Sequence, residues 1–161
     1  MNNTLQRLFP LIAVVTLAVF ITNCSQVQSD NTNVETIRGL YDAFATGDVP
    51  TVLAAMSPDI IWNEAENFPY DDGNPYIGPD AVLNGVFARV MADFDSFQLV
   101  DQTIYPVGEN MVLATGRYIG THRVTGKNLD AQKAHLWWLE DGMITRFQQY
   151  ADTKQAWEVG Q

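Results

Sequence analysis

His135-Leu136-Trp137-Trp138-Leu139-Glu140-Asp141-Gly142-Met143-Ile144-Thr145-Arg146-Phe147-Gln148-Gln149-Tyr150-Ala151-Asp152 is two β-rich runs joined by Asp-Gly. That dipeptide favours a two-residue hairpin, because both turn positions need positive φ. The turn sets Glu140 opposite Met143 and Leu139 opposite Ile144. Counting on without a bulge, Trp137 opposes Arg146, His135 opposes Gln148, Lys133 opposes Tyr150 and Ala131 opposes Asp152. A bulge would shift the pairing and carry Gln149 to the His135 face. Both faces of the hairpin are rich in large or apolar side chains. One face covering helices and the other meeting a second copy would account for this, so a homodimer is expected.

Outward from the hairpin, further β-rich runs occupy 97–105, 111–120 and 129–140, divided by turn-forming residues at 107–110 and 121–128. Upstream the period changes. Thr32-x-x-Glu35 is a capping-box signature, and Val34, Ile37, Leu40, Tyr41 and Phe44 recur at helical spacing up to Gly47. Asp48 can cap a short second helix with Pro50 in its first turn. Residues 59–64 read as a strand, and a polar, Gly/Pro-rich excursion follows over 66–78. Val82, Val86, Phe87, Val90 and Phe94 then mark a third helix, with Gly85 its weak point. The pattern predicts an α+β domain in which three N-terminal helices pack on a curved antiparallel sheet.

The chain has 161 residues, 47% of them hydrophobic, enough for one full-sized core. Nine Lys+Arg against 19 Asp+Glu leave a net charge of −10, which argues against nucleic acid as a partner. His122 and His135 lack the His/Cys/Asp spacing of a zinc site, so no metal is expected. Walker, Gly-x-Gly-x-x-Gly and Gly-x-Ser-x-Gly motifs are absent.

The N-terminus reads as an address. Residues 8–21 are apolar except for Thr16 and follow Arg7. They form a signal h-region shorter than the about 20 residues that span a bilayer. Residues 1–23 are read as a signal peptide, 24–31 as a polar tether and 32–161 as the domain. Ile21-Thr22-Asn23-Cys24 resembles a bacterial lipobox, although Asn23 stands where Gly, Ala or Ser is usual. The resemblance implies an exported chain lipidated at Cys24 and tethered to the membrane at the cell envelope. An uncleaved signal anchor or simple secretion are the alternatives.

Several short elements share an order and spacing with a known family. They are Tyr41-x-Ala43-Phe44-x-x-Gly47-Asp48, Pro58-Asp59-x-x-Trp62, Pro69-Tyr70, Tyr76-x-Gly78, His135-x-Trp137, Asp141-Gly142-x-Ile144 and Arg146-Phe147-x-x-Tyr150-x-Asp152-Thr153. Together, over about residues 33–157, the chain resembles the SnoaL-like and ketosteroid-isomerase-related branch of the nuclear transport factor two-like superfamily. The resemblance implies a cone-shaped α+β barrel with a deep apolar cavity, usually dimeric and needing no cofactor. It does not imply one activity, since the fold hosts isomerases, cyclases, dehydratases, hydrolases and binders. By this resemblance the isomerase's general-base Asp falls on Glu64 and its protonated Asp near His135. Its oxyanion-hole Tyr falls on Leu40, with Tyr41 one place on and on a different helix azimuth.

Three residues are catalytic candidates. His135, in mid-strand, can donate to an oxyanion or act as a base; a core histidine bonded to Gln148 or a backbone carbonyl fits the same pattern. Asp152 can orient His135 or serve as base, or it caps the final turn. Glu64 lies near Glu66, Asp71 and Asp72 with no Lys or Arg between Arg38 and Arg89. That density suits a base of raised pKa, and equally an exposed acidic loop. Tyr41, Trp62, Tyr118, Trp137 and Phe147, with Gln149 and Tyr150, are the candidate substrate-binding residues, though such aromatics also build ordinary cores. Arg146, opposite Trp137 in the unbulged register, can stack on that indole. The expected function is cofactor-independent proton transfer on a small, largely apolar carbonyl compound. The alternative is a non-catalytic binding module at the envelope.

Overall fold

A computed structural model describes residues 32–161. The expected signal peptide, the tether and Cys24 lie outside the described residues. Helix α1 covers residues 32–45 and buries Ile37, Leu40 and Tyr41, the stripe its i, i+3, i+4 spacing dictates. It ends at Gly47 with φ 73°. There Asp48 N–H reaches Ala43 O and Gly47 N–H reaches Phe44 O, the paired bonds that close a helix through a left-handed glycine. Asp48 then caps α2 (Val49–Ala54) by accepting from Thr51 N–H.

Strand β1 (Met56–Asn63) leads into a loop that carries β2 (Tyr76–Ile77). Helix α3 (Pro79–Val82) runs through a π-helical turn at Leu83–Phe87 into α4 (Ala88–Asp93). The π turn contains Gly85, the expected weak point, and a Cβ at that position would lie 2.1 Å from Tyr76 Cε1. The glycine thus admits the Tyr76 ring, whose hydroxyl donates to Tyr70 O. Strands β3 (Phe94–Val107), β4 (Met111–His122), β5 (Asn128–Glu140) and β6 (Met143–Ala151) follow, and α5 (Thr153–Glu158) closes the described chain.

The sheet order is β2-β1-β6-β5-β4-β3. It is a curved, open six-stranded sheet, not a closed barrel, with irregularities in the β3–β4, β5–β6 and β1–β6 registers of the kind that bend strands. Two further expectations are corrected. The third helix follows β1 and β2, so the helices do not form an N-terminal block, and β1 pairs parallel to β6, so the sheet is mixed. The helix order is that of the strand at 59–64 preceding the third helix, whereas the parallel pair follows from a crossover that returns β1 beside the last strand, which sequence-local pairing cannot reveal.

The Asp-Gly turn is as expected, with Asp141 at φ 49° and Gly142 at φ 79°. Glu140 opposes Met143 and Leu139 opposes Ile144; a bulge then shifts the rest by one. His135 therefore opposes Gln149, Trp137 opposes Phe147, and Trp138 opposes Arg146. Arg146 accordingly stacks on Trp138, 4.5 Å from its ring, instead of Trp137. The inward row of β5 is Leu129, Ala131, Lys133, His135, Trp137 and Leu139, alternating without fault. The outward row includes Ala134, Leu136 and Trp138; exposed Tyr150 of β6 opposes Ala134, and exposed Ile61 lies in register with Trp138 through Arg146.

Candidate active site

Between the inner face of the sheet, helices α1, α2 and α4 and the π turn lies a cavity of ≈ 50 Å³. Its walls are apolar and largely aromatic, and the Trp62 indole stacks on Phe147 at 3.8 Å between ring centroids. The polar side chains lining it are Tyr41, Glu64, Tyr118, His135 and Gln149. Glu64 and His135 therefore meet one void, as do Tyr41, Trp62, Tyr118, Trp137, Phe147 and Gln149. Asp152 and Tyr150 do not line it. Asp152 caps α5, accepting from Gln155 N–H at 3.1 Å, and the bulge turns Tyr150 outward, where it is 58% exposed.

Glu64 follows β1 directly, and Asn74 clamps its backbone, donating to Glu64 O and accepting from Glu64 N–H. Its side chain is buried. Trp62 Nε1–H donates to Oε1 at 2.6 Å, while Oε2 has no hydrogen-bond partner. Burial pushes the carboxyl up from its ordinary 4.5 to about 7, with Asp71 adding to the rise. The Trp62 N–H bond and the nearby Gln149 amide pull in the other direction. The acidic loop is thus the lesser cause, and removal from water is the main one.

His135 is enclosed on both sides. Nδ1 meets Tyr41 Oη at 2.8 Å and Nε2 meets Tyr118 Oη at 2.5 Å. Burial, seconded by the Lys133 charge, pushes the imidazole well below its usual range, so the ring is neutral. The direction of each bond follows from counting. A phenol oxygen offers one hydrogen and two lone pairs. Tyr41 Oη accepts from Trp137 Nε1–H at 3.1 Å and from Lys133 Nζ at 3.4 Å, so its own hydrogen goes to His135 Nδ1. The ring hydrogen then sits on Nε2 and is donated to Tyr118 Oη.

Gln149 fixes the other end. Its Oε1 accepts from Ala65 N–H at 3.2 Å, which turns its Nε2 toward Tyr118 Oη at 2.9 Å. Tyr118 Oη thus accepts twice, and its own hydrogen has no acceptor among the described bonds. Burial and the Glu64 charge both raise the Tyr118 pKa well above its usual value, so the hydroxyl keeps that hydrogen. The site holds one donor without an acceptor, Tyr118 O–H, and one acceptor without a donor, Glu64 Oε2.

Helix α1 turns both Leu40 and Tyr41 to the void, although the two differ in helix azimuth. One residue escaped the sequence. Lys133 had no role beyond its register, although a lysine in phase with His135 and Trp137 was the available signal. Among the described residues no three His, Cys, Asp or Glu side chains converge as metal ligands do.

A model of the SnoaL-like domain matches residues 37–147. No curated protein matches the chain. Among solved structures, a nuclear transport factor two-like protein from Burkholderia thailandensis is 29% identical, with a TM-score of 0.75 over 80% of this chain and 97% of that one. TerC co-crystallised with polyporic acid is 24% identical, TM-score 0.70, over 80% and 97% of the two chains. A Xanthomonas campestris protein named as a candidate polyketide cyclase is 20% identical, TM-score 0.70, over 79% and 95%. The last two likenesses show the fold alone.

Proposed function

The chain belongs to the SnoaL-like domain family, and from that premise we propose that it catalyses cofactor-independent proton transfer on a small, largely apolar carbonyl compound. The observation that carries this reading is the pairing of Glu64 Oε2 with the Tyr118 hydrogen at one apolar void. The Glu64 carboxylate takes a proton from the carbon beside the carbonyl. The C–H electron pair becomes the enolate double bond, and charge gathers on the oxygen, which Tyr118 O–H holds. Glu64, now protonated, returns the proton to the same or a neighbouring carbon. His135 supports Tyr118 and does not itself touch the ligand, since both its nitrogens are engaged. The neighbour named for polyketide cyclisation fits this class of chemistry.

The test is solvent-deuterium exchange into a panel of small enolisable ketones and aldehydes, followed by proton NMR. Exchange at least about 100-fold above a denatured control is the expected result, and exchange no faster than that control for every compound would remove the reading. The second reading, a non-catalytic binding module, draws on the small size of the void, which admits only a few heavy atoms. An apolar ligand copurifying with a chain inactive in exchange would establish it.

The proposal places the chain at the cell envelope, exported by its first 23 residues and lipidated at Cys24. It is a homodimer through the outward sheet face that carries Ile61, Trp138 and Tyr150. Native mass spectrometry of the detergent-solubilised membrane fraction reads both features. A dimer whose chains begin at acylated Cys24 is expected; a monomer, or a chain without acyl mass, would remove the corresponding part.

A further inference from the structure

Lys133 touches no part of the void, yet it is only 4% exposed and sits in the inward row two residues before His135. The backbone around it is shaped to receive it. Asp101, at φ 54°, marks a break in the β3–β4 register between Val100 and Thr103. Gln102 beside it accepts from Lys133 Nζ at 2.7 Å. Gly116 faces Lys133 across β4 and β5. A Cβ at Gly116 would lie 2.7 Å from Val100 O and 3.1 Å from Gln102 Oε1, so a side chain there would crowd the amide that receives the ammonium. The second contact of the ammonium is Tyr41, at 3.4 Å from Oη and 4.6 Å from the ring centroid.

That second contact decides the direction of the bonds downstream. With Trp137 alone as donor, Tyr41 Oη would retain a free lone pair. His135 could then carry its hydrogen on Nδ1 and donate into that lone pair. Nε2 would become an acceptor and draw the Tyr118 hydrogen to itself, away from the cavity. With Lys133 in place both lone pairs are filled, and this alternative is closed. We infer that Lys133 is a positioning residue: acting through Tyr41, it holds His135 in the Nε2–H tautomer and so keeps the Tyr118 hydroxyl hydrogen free for a ligand oxygen. The use of that hydrogen rests on the proposed proton transfer; the tautomer does not.

The experiment is long-range proton–nitrogen NMR of the uniformly 15N-labelled full chain, which has only two histidines, with His122→Gln to assign them. In the unaltered chain His135 is expected to show a pyridine-like Nδ1 and a pyrrole-like Nε2. Lys133→Met fills similar space without a donor, and removing a buried charge is often tolerated. It is expected to move the tautomer ratio toward Nδ1–H by about tenfold or more, the worth of one charge-assisted hydrogen bond. A hydrogen on Nδ1 in the unaltered chain overturns the inference without any variant. So does an unchanged ratio in Lys133→Met. Absence of ketone exchange would leave these spectra as expected, and a wrong tautomer is read directly from the spectra whatever the exchange rate, so the two failures are distinguishable.

Discussion

Glu64→Gln is expected to lower ketone exchange by about 10²–10⁴-fold, the usual contribution of a positioned general base. The amide keeps an acceptor for Trp62 Nε1–H and nearly the same shape, so the loss falls on the proton transfer and not on the walls of the void. The pH profile carries the same signature. The base is the carboxylate, so the rate of the unaltered chain rises with pH through about 7 and levels above it, while the residual rate of Glu64→Gln lacks that step. A Glu64→Gln variant within threefold of the unaltered rate, or a profile without a rise near pH 7, would assign the chemistry elsewhere.

Stability provides a second readout with the opposite sense. Because the folded pKa of Glu64 lies above its ordinary 4.5, the folded state holds more protons than the unfolded one between about 4.5 and 7. Stability is therefore lost as pH rises through that window, by about 3 kcal/mol in total. Lys133 has the reverse relation. Burial pushes its ammonium down from 10.5 to about 7, so the folded state holds fewer protons between those values and stability rises as pH climbs through them. The two limbs meet near neutrality. His135, held neutral by burial, works against the lower limb below about 6.5, because the unfolded imidazole takes up a proton there that the folded one does not. The Glu64 contribution is therefore read as the difference in thermal midpoint between the unaltered chain and Glu64→Gln. The unaltered chain should lose ground to Glu64→Gln as pH rises from about 4.5 to 7 and no further above 7, and a difference that does not change with pH would contradict the burial of an unpaired carboxylate.

Tyr118→Phe is the second large effect, and it differs in kind. Removing one donor from a developing oxyanion is expected to cost about 10²–10³-fold in exchange rate. The same change takes away an acceptor from two buried donors, His135 Nε2–H and Gln149 Nε2–H. Leaving such groups unpaired costs about 1–3 kcal/mol, so Tyr118→Phe should also melt lower, which Glu64→Gln at pH 7 should not. Calorimetry beside the exchange assay separates the two roles. Tyr118→Phe with full exchange activity would show that its hydrogen is not the one that meets the carbonyl oxygen.

Asp152 and Glu64 show where sequence reading succeeded and where it stopped. Both are carboxylates near a strand end and both carried a bland alternative. Asp152 proved to be the helix cap that its position before Thr153 allowed. Glu64 proved buried because its loop folds over the void and Asn74 pins its backbone from ten residues away. Capping depends on the next three residues, whereas burial of a loop carboxylate depends on what packs over it. The first is therefore legible locally, and the second is not.

Local pattern by itself determined the helical stripe of Ile37, Leu40 and Tyr41, the Asp141-Gly142 turn, and the alternation that puts Ala131, Lys133, His135 and Trp137 on one face. Steric and periodic constraints of neighbouring residues suffice for these. Tertiary structure alone decided that a bulge between Leu139 and Trp138 sets Gln149, not Gln148, opposite His135. It also decided that β1 lies parallel to β6 and that Tyr41, 94 residues away in the chain, supplies the hydrogen to His135 Nδ1. The physical reason is common to all three. A side chain's own strand or helix sets the face on which it lies, but the hydrogen-bond direction and pKa it acquires are set by groups from other elements, which meet it only when the sheet closes over the core.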